Sequence, residues 1–530
     1  MSHAPAMDVT AGTANAVATA HPLATAAALA TLRDGGNAAD AAAAAAWMLA
    51  VCEPSGSGLG GQATVLVHRP GGACTVLDGH SHAPQGVTRR TVDRDAQRRG
   101  PRATTVPSMP ATIGALAARF GRLPVARTLA PAIQAAHEGI PVSPLLRRHI
   151  QWCRSALGAT AFGARTFLVD GRAPRRGALL RQRELGSTLE RLAAHGVPDF
   201  YLGALAHEMA EGMRAAGGFV TEADLASAAE PAEREALAMD FRGHEVVTAP
   251  PPAGGLQLLF GLRLAEALGL DEVADDDGWY ERFALVVDGV FRERSRLPLA
   301  PHRLTPSLVD WMLGAARANE VAAEALARVP RARVREAEGP GDTTHLCVAD
   351  ADGMVVSLTQ SIQSLFGAKV ADERLGFFWN NYLTTCSRRR GPAMLRRGAR
   401  PQSNAAPTIV FRGPAGSART PWFALGAAGS RRITSSLLHV IAQTVLRGRT
   451  PADAVAAPRV HATLGGAYMV ESGAASDALL ARLAARFRGP HVPRAAHSYA
   501  MGCVQAIVRT RNGAWSGVAD PRREGVADGF

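Results

Sequence analysis

The sequence predicts an α+β protein built in layers of helix and sheet, of which the four-layer αββα sandwich is the fuller form. Three observations predict it. The chain opens with two helix-like runs, its stretch from 110 to 240 is mainly helical, and from Thr343 the pattern switches abruptly to period two. No fixed-period repeat that would signal a solenoid or propeller is visible.

After a loose polar start, Leu23 to Leu32 reads as a helix closed by Gly35-Gly36-Asn37, and Ala38 to Val51 as a second. Pro54 and the run Ser55-Gly56-Ser57-Gly58-Leu59-Gly60-Gly61 form a loop that enters a strand at Ala63-Thr64-Val65-Leu66-Val67. This glycine run leaves a helix and enters a strand, the opposite polarity to a dinucleotide fingerprint. The helical stretch that follows is broken at Pro141, Pro144 and Pro198. A strand at Glu245-Val246-Val247 leads through Pro250-Pro251-Pro252-Ala253-Gly254-Gly255 into an apolar helix, Leu256 to Leu268. Asp271 to Gly339 is helical and charge-rich and ends in an exposed connector, Gly339-Pro340-Gly341. Thr344 to Ala349 and Met354 to Thr359 then form a hairpin around Asp350-Ala351-Asp352-Gly353, whose Asp-Gly end suits positive φ. Strands at Thr408 to Phe411, Trp422 to Gly426 and Val504 to Thr510, and helices at Ser435 to Leu446 and from about Pro451, precede a polar end.

Over 530 residues, 47% hydrophobic and 20% charged residues describe a soluble globular protein and exclude a disordered or fibrous one. The net charge of +12 raises nucleic acid or an anionic membrane as partners. Lys369 is the only lysine, however, and the arginines are scattered in groups such as Arg388-Arg389-Arg390 and Arg396-Arg397. The pattern reads as an arginine habit of solvated faces, so neither nucleic acid nor membrane is expected as a partner. A phosphate-cradling loop needs a lysine at a glycine-rich turn and finds none, and a Schiff-base enzyme would have to use Lys369 itself. No cofactor is expected. Cys52, Cys74, Cys153, Cys347, Cys386 and Cys503 show no paired spacing, which speaks against a zinc ribbon or a disulfide framework and for a reduced, cytoplasmic setting. The first twenty residues lack the features of a secretory signal, and Ala41 to Val51 is too short to span a bilayer.

A threonine is a poor nucleophile unless a base stands close to its hydroxyl, and its own α-amino group, freed by peptide cleavage, can be that base. Such a threonine must begin a strand after an exposed connector, as Gly341-Asp342-Thr343-Thr344-His345 does. Three other groups have plainer explanations. His80 and His82 share a strand face with no third ligand nearby and read as pocket or packing residues, so no metal is expected. Turn chemistry accounts for Asp350 and Asp352, and core packing for Cys347.

Motifs along most of the chain resemble the γ-glutamyltransferase (γ-glutamyl transpeptidase) family of N-terminal nucleophile hydrolases. They are His21-Pro22-Leu23-Ala24-Thr25, Gly35-Gly36-Asn37-Ala38-Ala39-Asp40, Gly58-Leu59-Gly60-Gly61 and Pro250 to Gly255. Thr343-Thr344-His345 with Asp352-Gly353, Pro401-Gln402-Ser403 and Gly426-Ala427-Ala428-Gly429-Ser430 follow. Ala457-Pro458-Arg459-Val460-His461 and Asp520-Pro521-Arg522-Arg523-Glu524-Gly525 complete the order.

The resemblance implies a proenzyme that cuts itself between Asp342 and Thr343, giving a large piece, 1–342, that contributes to the substrate pocket, and a small piece, 343–530, that carries the nucleophile. The two would stay packed together. Thr343 would attack an acyl carbonyl, the N–H groups of Gly429 and Ser430 would hold the oxyanion, and the Ser361 hydroxyl would orient the nucleophile. Serine at 430 requires that its φ, ψ be open to a side chain. Recognition departs further from the family pattern. His80 stands where the family has the arginine that grips the substrate's α-carboxylate, and the two serines that assist it become Ser403 and Asn404. An asparagine becomes Gln363, an amide becomes Tyr382, and the acid that holds the α-ammonium becomes Thr385. These changes keep the reaction machinery and rewrite the pocket, favouring an acyl group other than free γ-glutamyl. The expected partners are a small-molecule acyl donor and water or an amine acceptor. Two other readings stand beside this one: an amidase, acylase or carbon–carbon hydrolase of an antibiotic or small-amide pathway, and a non-catalytic homologue serving as a binding subunit.

Overall fold

The computed structural model describes residues 12–296, 304–327, 341–389, 394–414 and 419–530. Strands of two sheets are β1 (Ala16–Thr19), β2 (Gln62–His68), β3 (Cys74–Gly79), β4 (Ala232–Glu235), β5 (Leu237–Phe241) and β6 (His244–Thr248). They continue as β7 (Gly341–Ala349), β8 (Val355–Ser364), β9 (Thr408–Arg412), β10 (Thr420–Ala428), β11 (Cys503–Arg509), β12 (Trp515–Ala519) and β13 (Val526–Gly529). One sheet runs β13-β1-β7-β8-β2-β3-β4 and the other β12-β11-β10-β9-β6-β5, antiparallel throughout.

Period two in these strands sorts residues between three cores. On β7, Cys347 and Ala349 join Leu66, Val76, Val247, Ile409 and Ala424 in the layer between the two sheets. Leu346 and Val348 of the same strand face the other way, into a core shared with the helices of residues 22 to 226. The outer face of the second sheet packs Val410, Phe423, Leu425 and Val504 against helices from the 255–296 and 432–447 regions. Stacking helix, sheet, sheet and helix gives the four-layer αββα sandwich.

The opening helices occur where the sequence places them, as α1 (Pro22–Arg33) and α2 (Ala38–Cys52). Every residue of α2 is buried, and its alanine run lets neighbouring backbones come close on all sides. Asn37 Oδ1 accepts from the Ala39 and Asp40 N–H groups at its N-terminus, while the Asp350 carboxylate takes the Ala38 N–H at 2.8 Å. Asp350 therefore ties the hairpin turn to the helix start. Gly353 closes that turn at φ 87°.

Two segments differ from expectation. The loose polar start contains β1, and the polar end contains β13, which pair with each other and place β1 directly beside β7. Ala16-Val17-Ala18-Thr19 is short and lacks a strong β-branched run, so only its partners make it a strand. The connector residues Gly339-Pro340 lie outside the described residues.

Candidate active site

β7 brings Thr343 to the middle of the first sheet, beside β8. Their register shifts between Gln360 and Gln363, where Gln363 pairs with Asp342 at φ 81°. Such an irregularity re-aims side chains, and here it sets Ser361 over the Asp342–Thr343 peptide. Thr343 Oγ1 lies 2.7 Å from the Asp342 carbonyl oxygen and 3.1 Å from Ser361 Oγ. Ser361 Oγ donates to the same carbonyl oxygen at 2.9 Å and accepts the Gln363 N–H at 2.9 Å. The nucleophile and the bond it would break thus share one hydroxyl network, with Thr343 only 6% exposed.

The Asp342 side chain is fixed as firmly. It accepts from Arg523 at very close range, from the Thr343 N–H at 3.0 Å and from Ser55 Oγ at 3.1 Å, with His149 Nδ1 3.6 Å away. Burial pushes this carboxyl up, but the Arg523 guanidinium and His149 outweigh it and hold it below its ordinary value. Arg523 also donates to the Thr343 carbonyl at 3.0 Å and packs over the Tyr499 ring, so one guanidinium grips both residues of the junction. Burial sends the nearby Glu53 carboxyl up to about 7 against the pull of Arg523, and lowers His149 to about 4. The loop before β2 can approach this cluster only because residue 56 is glycine: a Cβ there would sit 2.7 Å from the Asp342 carboxyl carbon.

The turn expected to hold the oxyanion follows β10 and precedes the helix α3 (Arg432–Arg447). Gly429 has φ 129°, and a Cβ would meet the Gly502 backbone at 2.8 Å, so only glycine fits. Ser430 has φ 56°, a left-handed conformation that serine adopts at a cost of about 1–3 kcal/mol.

A cavity of about 720 Å³ opens beside Gln363 and Ser430. Thr385 and Asn404 line it as well, and Thr385 Oγ1 donates to the Tyr382 carbonyl. Three other residues expected in the pocket do not line this cavity. His80 is 4% exposed; its Nδ1 is 2.9 Å from Asp78, whose carboxylate Arg400 and Arg234 also engage. Burial lowers the His80 imidazole, and the Asp78 carboxylate works against that. Tyr382 is buried, which pushes its hydroxyl up to about 12, while Ser361, Ser403 and Gln62 pull the other way. Ser403 Oγ accepts the Ala405 N–H, a turn bond. His82 pairs with Ser227, apart from His80.

Sequence reasoning missed the arginines. Arg98, Arg294 and Arg431 line the cavity, and among the described residues no Asp or Glu does. Arg294 donates to Asn404 Oδ1 and to the Ser403 carbonyl. The signals were adjacency, Arg431 following the glycine turn and Arg523 lying inside the terminal motif; Arg98 and Arg294 are unmarked in an arginine-rich chain. A second hollow of about 610 Å³ adjoins, where Gly429 meets Trp152, Leu365 and Tyr499. Trp152 is 55% exposed.

Two antiparallel sheets stacked face to face between helices, with a buried threonine delivered by a central strand to a serine hydroxyl, are the architecture of the N-terminal nucleophile hydrolases, enzymes that cleave amides through an acyl intermediate on that side chain. Comparison with known proteins supplies the family. The model of the gamma-glutamyltranspeptidase family matches residues 24–530, and the chain belongs to that family. It is 29% identical to the glutathione hydrolase proenzyme of Bacillus subtilis (97% of this chain, 91% of the relative). It is 32% identical to the acylase ACY 1 proenzyme of a Pseudomonas species (97% and 93%). The crystal structure of cephalosporin acylase from Bacillus halodurans superposes with a TM-score of 0.87 at 28% identity, covering 99% of this chain and 97% of that one.

Proposed function

We propose that this chain cuts itself at Asp342–Thr343 and that the freed threonine then cleaves an amide whose acyl group is not γ-glutamyl. The observation that carries the first step is the approach of Thr343 Oγ1 and Ser361 Oγ to one carbonyl oxygen. Attack of Oγ1 on the Asp342 carbonyl carbon and rupture of the C–N bond give an ester and a free α-amine; water then hydrolyses the ester, leaving the Asp342 α-carboxylate and the Thr343 hydroxyl. In the processed enzyme the amine takes the hydroxyl proton as Oγ1 attacks the substrate carbonyl, and returns it to the departing amine. Water or an acceptor amine resolves the acyl-threonine. The Gly429 and Ser430 N–H groups would steady both oxyanions.

The altered pocket supports an acyl group without an α-ammonium: Thr385 lines it and has no charge to offer that group. Similarity to an acylase proenzyme and to a cephalosporin acylase supports the same reading. The two pieces are proposed to remain together as a cytoplasmic pair. The test is electrophoresis and mass spectrometry of purified protein. Wild type should yield pieces in the proportion 342 to 188 of 55.4 kDa, about 36 and 20 kDa, while Thr343→Ala stays whole and inactive. An intact, active wild type would refute the mechanism.

A further inference from the structure

We propose that Glu53, His149, Ser55 and Asp342 form a proton relay that delivers a proton to the departing Thr343 nitrogen during self-cleavage. The proposal rests on the reading that the chain cuts itself at Asp342–Thr343, and it assigns the acid which that step needs. The α-amine serves as a base only after the cut; until then the C–N bond breaks readily only if its nitrogen gains a proton.

Hydrogen bonds run without a gap from the scissile nitrogen outward. The Thr343 N–H stands 3.0 Å from Asp342 Oδ1, Ser55 Oγ donates to Asp342 Oδ2 at 3.1 Å, and His149 Nδ1 is 2.9 Å from Ser55 Oγ. Ser55 gives its one proton to the carboxylate, so the imidazole donates through Nδ1 and keeps its lone pair on Nε2. That nitrogen is buried with no hydrogen-bond partner among the described residues. His149 and Ser55 line a chamber of about 10 Å³, the room of a single water, whose walls also include Glu53, Glu524, His21 and Cys52. None of the chamber's residues lines the substrate cavity. One water in the chamber joins the Glu53 carboxyl to Nε2.

The surrounding groups leave Glu53 holding the proton. Burial raises its carboxyl to about 7; Arg523 and the Thr344 hydroxyl pull it down, while Asp342 and Glu524 push it up. Burial also keeps His21 and His149 neutral, each at about 4, and Cys52 a thiol, and Glu524 accepts the Leu145 N–H. An α-amine ordinarily holds its proton up to about 7.7–8.0, so the transfer from Glu53 runs downhill. Asp342 is held low by Arg523 against the effect of burial, so a proton reaching it passes on to the nitrogen. As Thr343 Oγ1 bonds to the Asp342 carbonyl carbon, its proton leaves through Ser361 Oγ for water in the substrate cavity at Gln363. The nitrogen takes a proton from Asp342 and departs as a neutral amine when the C–N bond breaks. Asp342 regains that proton from Ser55, Ser55 from His149, and His149 through the water from Glu53, which ends as a carboxylate 3.7 Å from Arg523. One proton has left the junction and one has entered. Each chain cuts itself once, so a single held proton suffices.

The experiment follows full-length chains made by cell-free translation, stopped in denaturant at set times and resolved on a gel, across a range of pH. Two variants open the relay: Ser55→Ala, and His149→Phe, which keeps a ring packed on Trp152 and Tyr499. Each should cut at least about tenfold more slowly than wild type in mildly acidic buffer, since positioned proton transfer contributes about 10²–10⁴. The wild-type rate should fall as pH rises through about 7, and Glu53→Gln should cut at every pH as slowly as wild type does at high pH. A purely structural role for Glu53 would lower the rate and leave the pH limb in place. If the wild type cuts and Ser55→Ala keeps pace with it, or the limb persists in Glu53→Gln, the relay is overturned while self-cleavage stands. Should His149→Phe fail to fold, Ser55→Ala and Glu53→Gln decide in the same way. A wild-type chain that stays whole refutes self-cleavage itself, and the relay falls with it.

Discussion

Removing the Ser361 hydroxyl should slow self-cleavage without changing the fold. The Asp342 carbonyl oxygen receives Ser361 Oγ at 2.9 Å, and attack by Thr343 Oγ1 would place a full negative charge on that oxygen. In Ser361→Ala the developing charge loses a preorganised donor, which in comparable acyl-transfer sites costs about 2.7–4 kcal/mol, or about 10²–10³ in rate. The alanine also leaves the Gln363 N–H without its acceptor, yet that group borders a cavity open to water, so the stability loss should stay near 1 kcal/mol. The assay is a time course of purified protein on a denaturing gel, with urea unfolding of the same samples. The uncut chain of 55.4 kDa should accumulate and convert at least about a hundredfold more slowly than wild type. Cleavage at the wild-type rate would show that Ser361 does not act on this carbonyl, and the geometry of the junction would have to be read anew.

Three further outcomes are expected. Arg523→Met, placed on the uncut Thr343→Ala chain, strands the buried Asp342 carboxylate and should cost about 3–5 kcal/mol in urea unfolding; an unchanged midpoint would contradict the role given to the pair. Glu53 has a folded-state value of about 7 against an ordinary 4.5, so the folded chain holds its proton more tightly and loses stability as pH rises from about 4.5 to 7. Glu53→Gln should therefore match wild type below pH 4.5 and gain up to about 3 kcal/mol above pH 7, a difference that pH-dependent thermal unfolding would expose or deny. Binding to duplex DNA should be weak and vanish at about 0.15 M salt, because arginines scattered over the surface do not make a phosphate-tracking stripe; submicromolar binding at that salt would reverse the view of the +12 charge.

Much of this was legible because local rules and the fold agree. The Asp-Gly turn at 352–353, the alternation from Leu346 to Ala349 and the capped alanine helix after Asn37 each announce their element. Thr343 and Gly429 stand out as candidates because short motifs contain them, and Ser361 follows from its place in the family pattern. β1 and β13 could not be found: the four small residues of β1 become a strand only between β13 and β7, and β13 is an edge strand that forms on β1. The position of His80 was misleading for a related reason. A motif gives the place in the chain, whereas burial against Asp78, Arg400 and Arg234 decides where the side chain goes. The cavity arginines come from segments remote in sequence, and only the fold gathers them.

The order of strands in the first sheet bears on what a cut at Asp342 would leave behind. Strands after that bond, β13, β7 and β8, are threaded among strands before it, with β1 clasped between β13 and β7. In the second sheet β9 from the later part pairs with β6 from the earlier one. No plane divides the molecule into two bodies, so the nicked protein has no interface to open. Labelled and unlabelled molecules mixed after processing would not trade pieces short of global unfolding, and the pieces expressed separately would each lack the four strand pairings that cross the cut. Severing the backbone here amounts to relocating a chain end to the interior of a finished sheet.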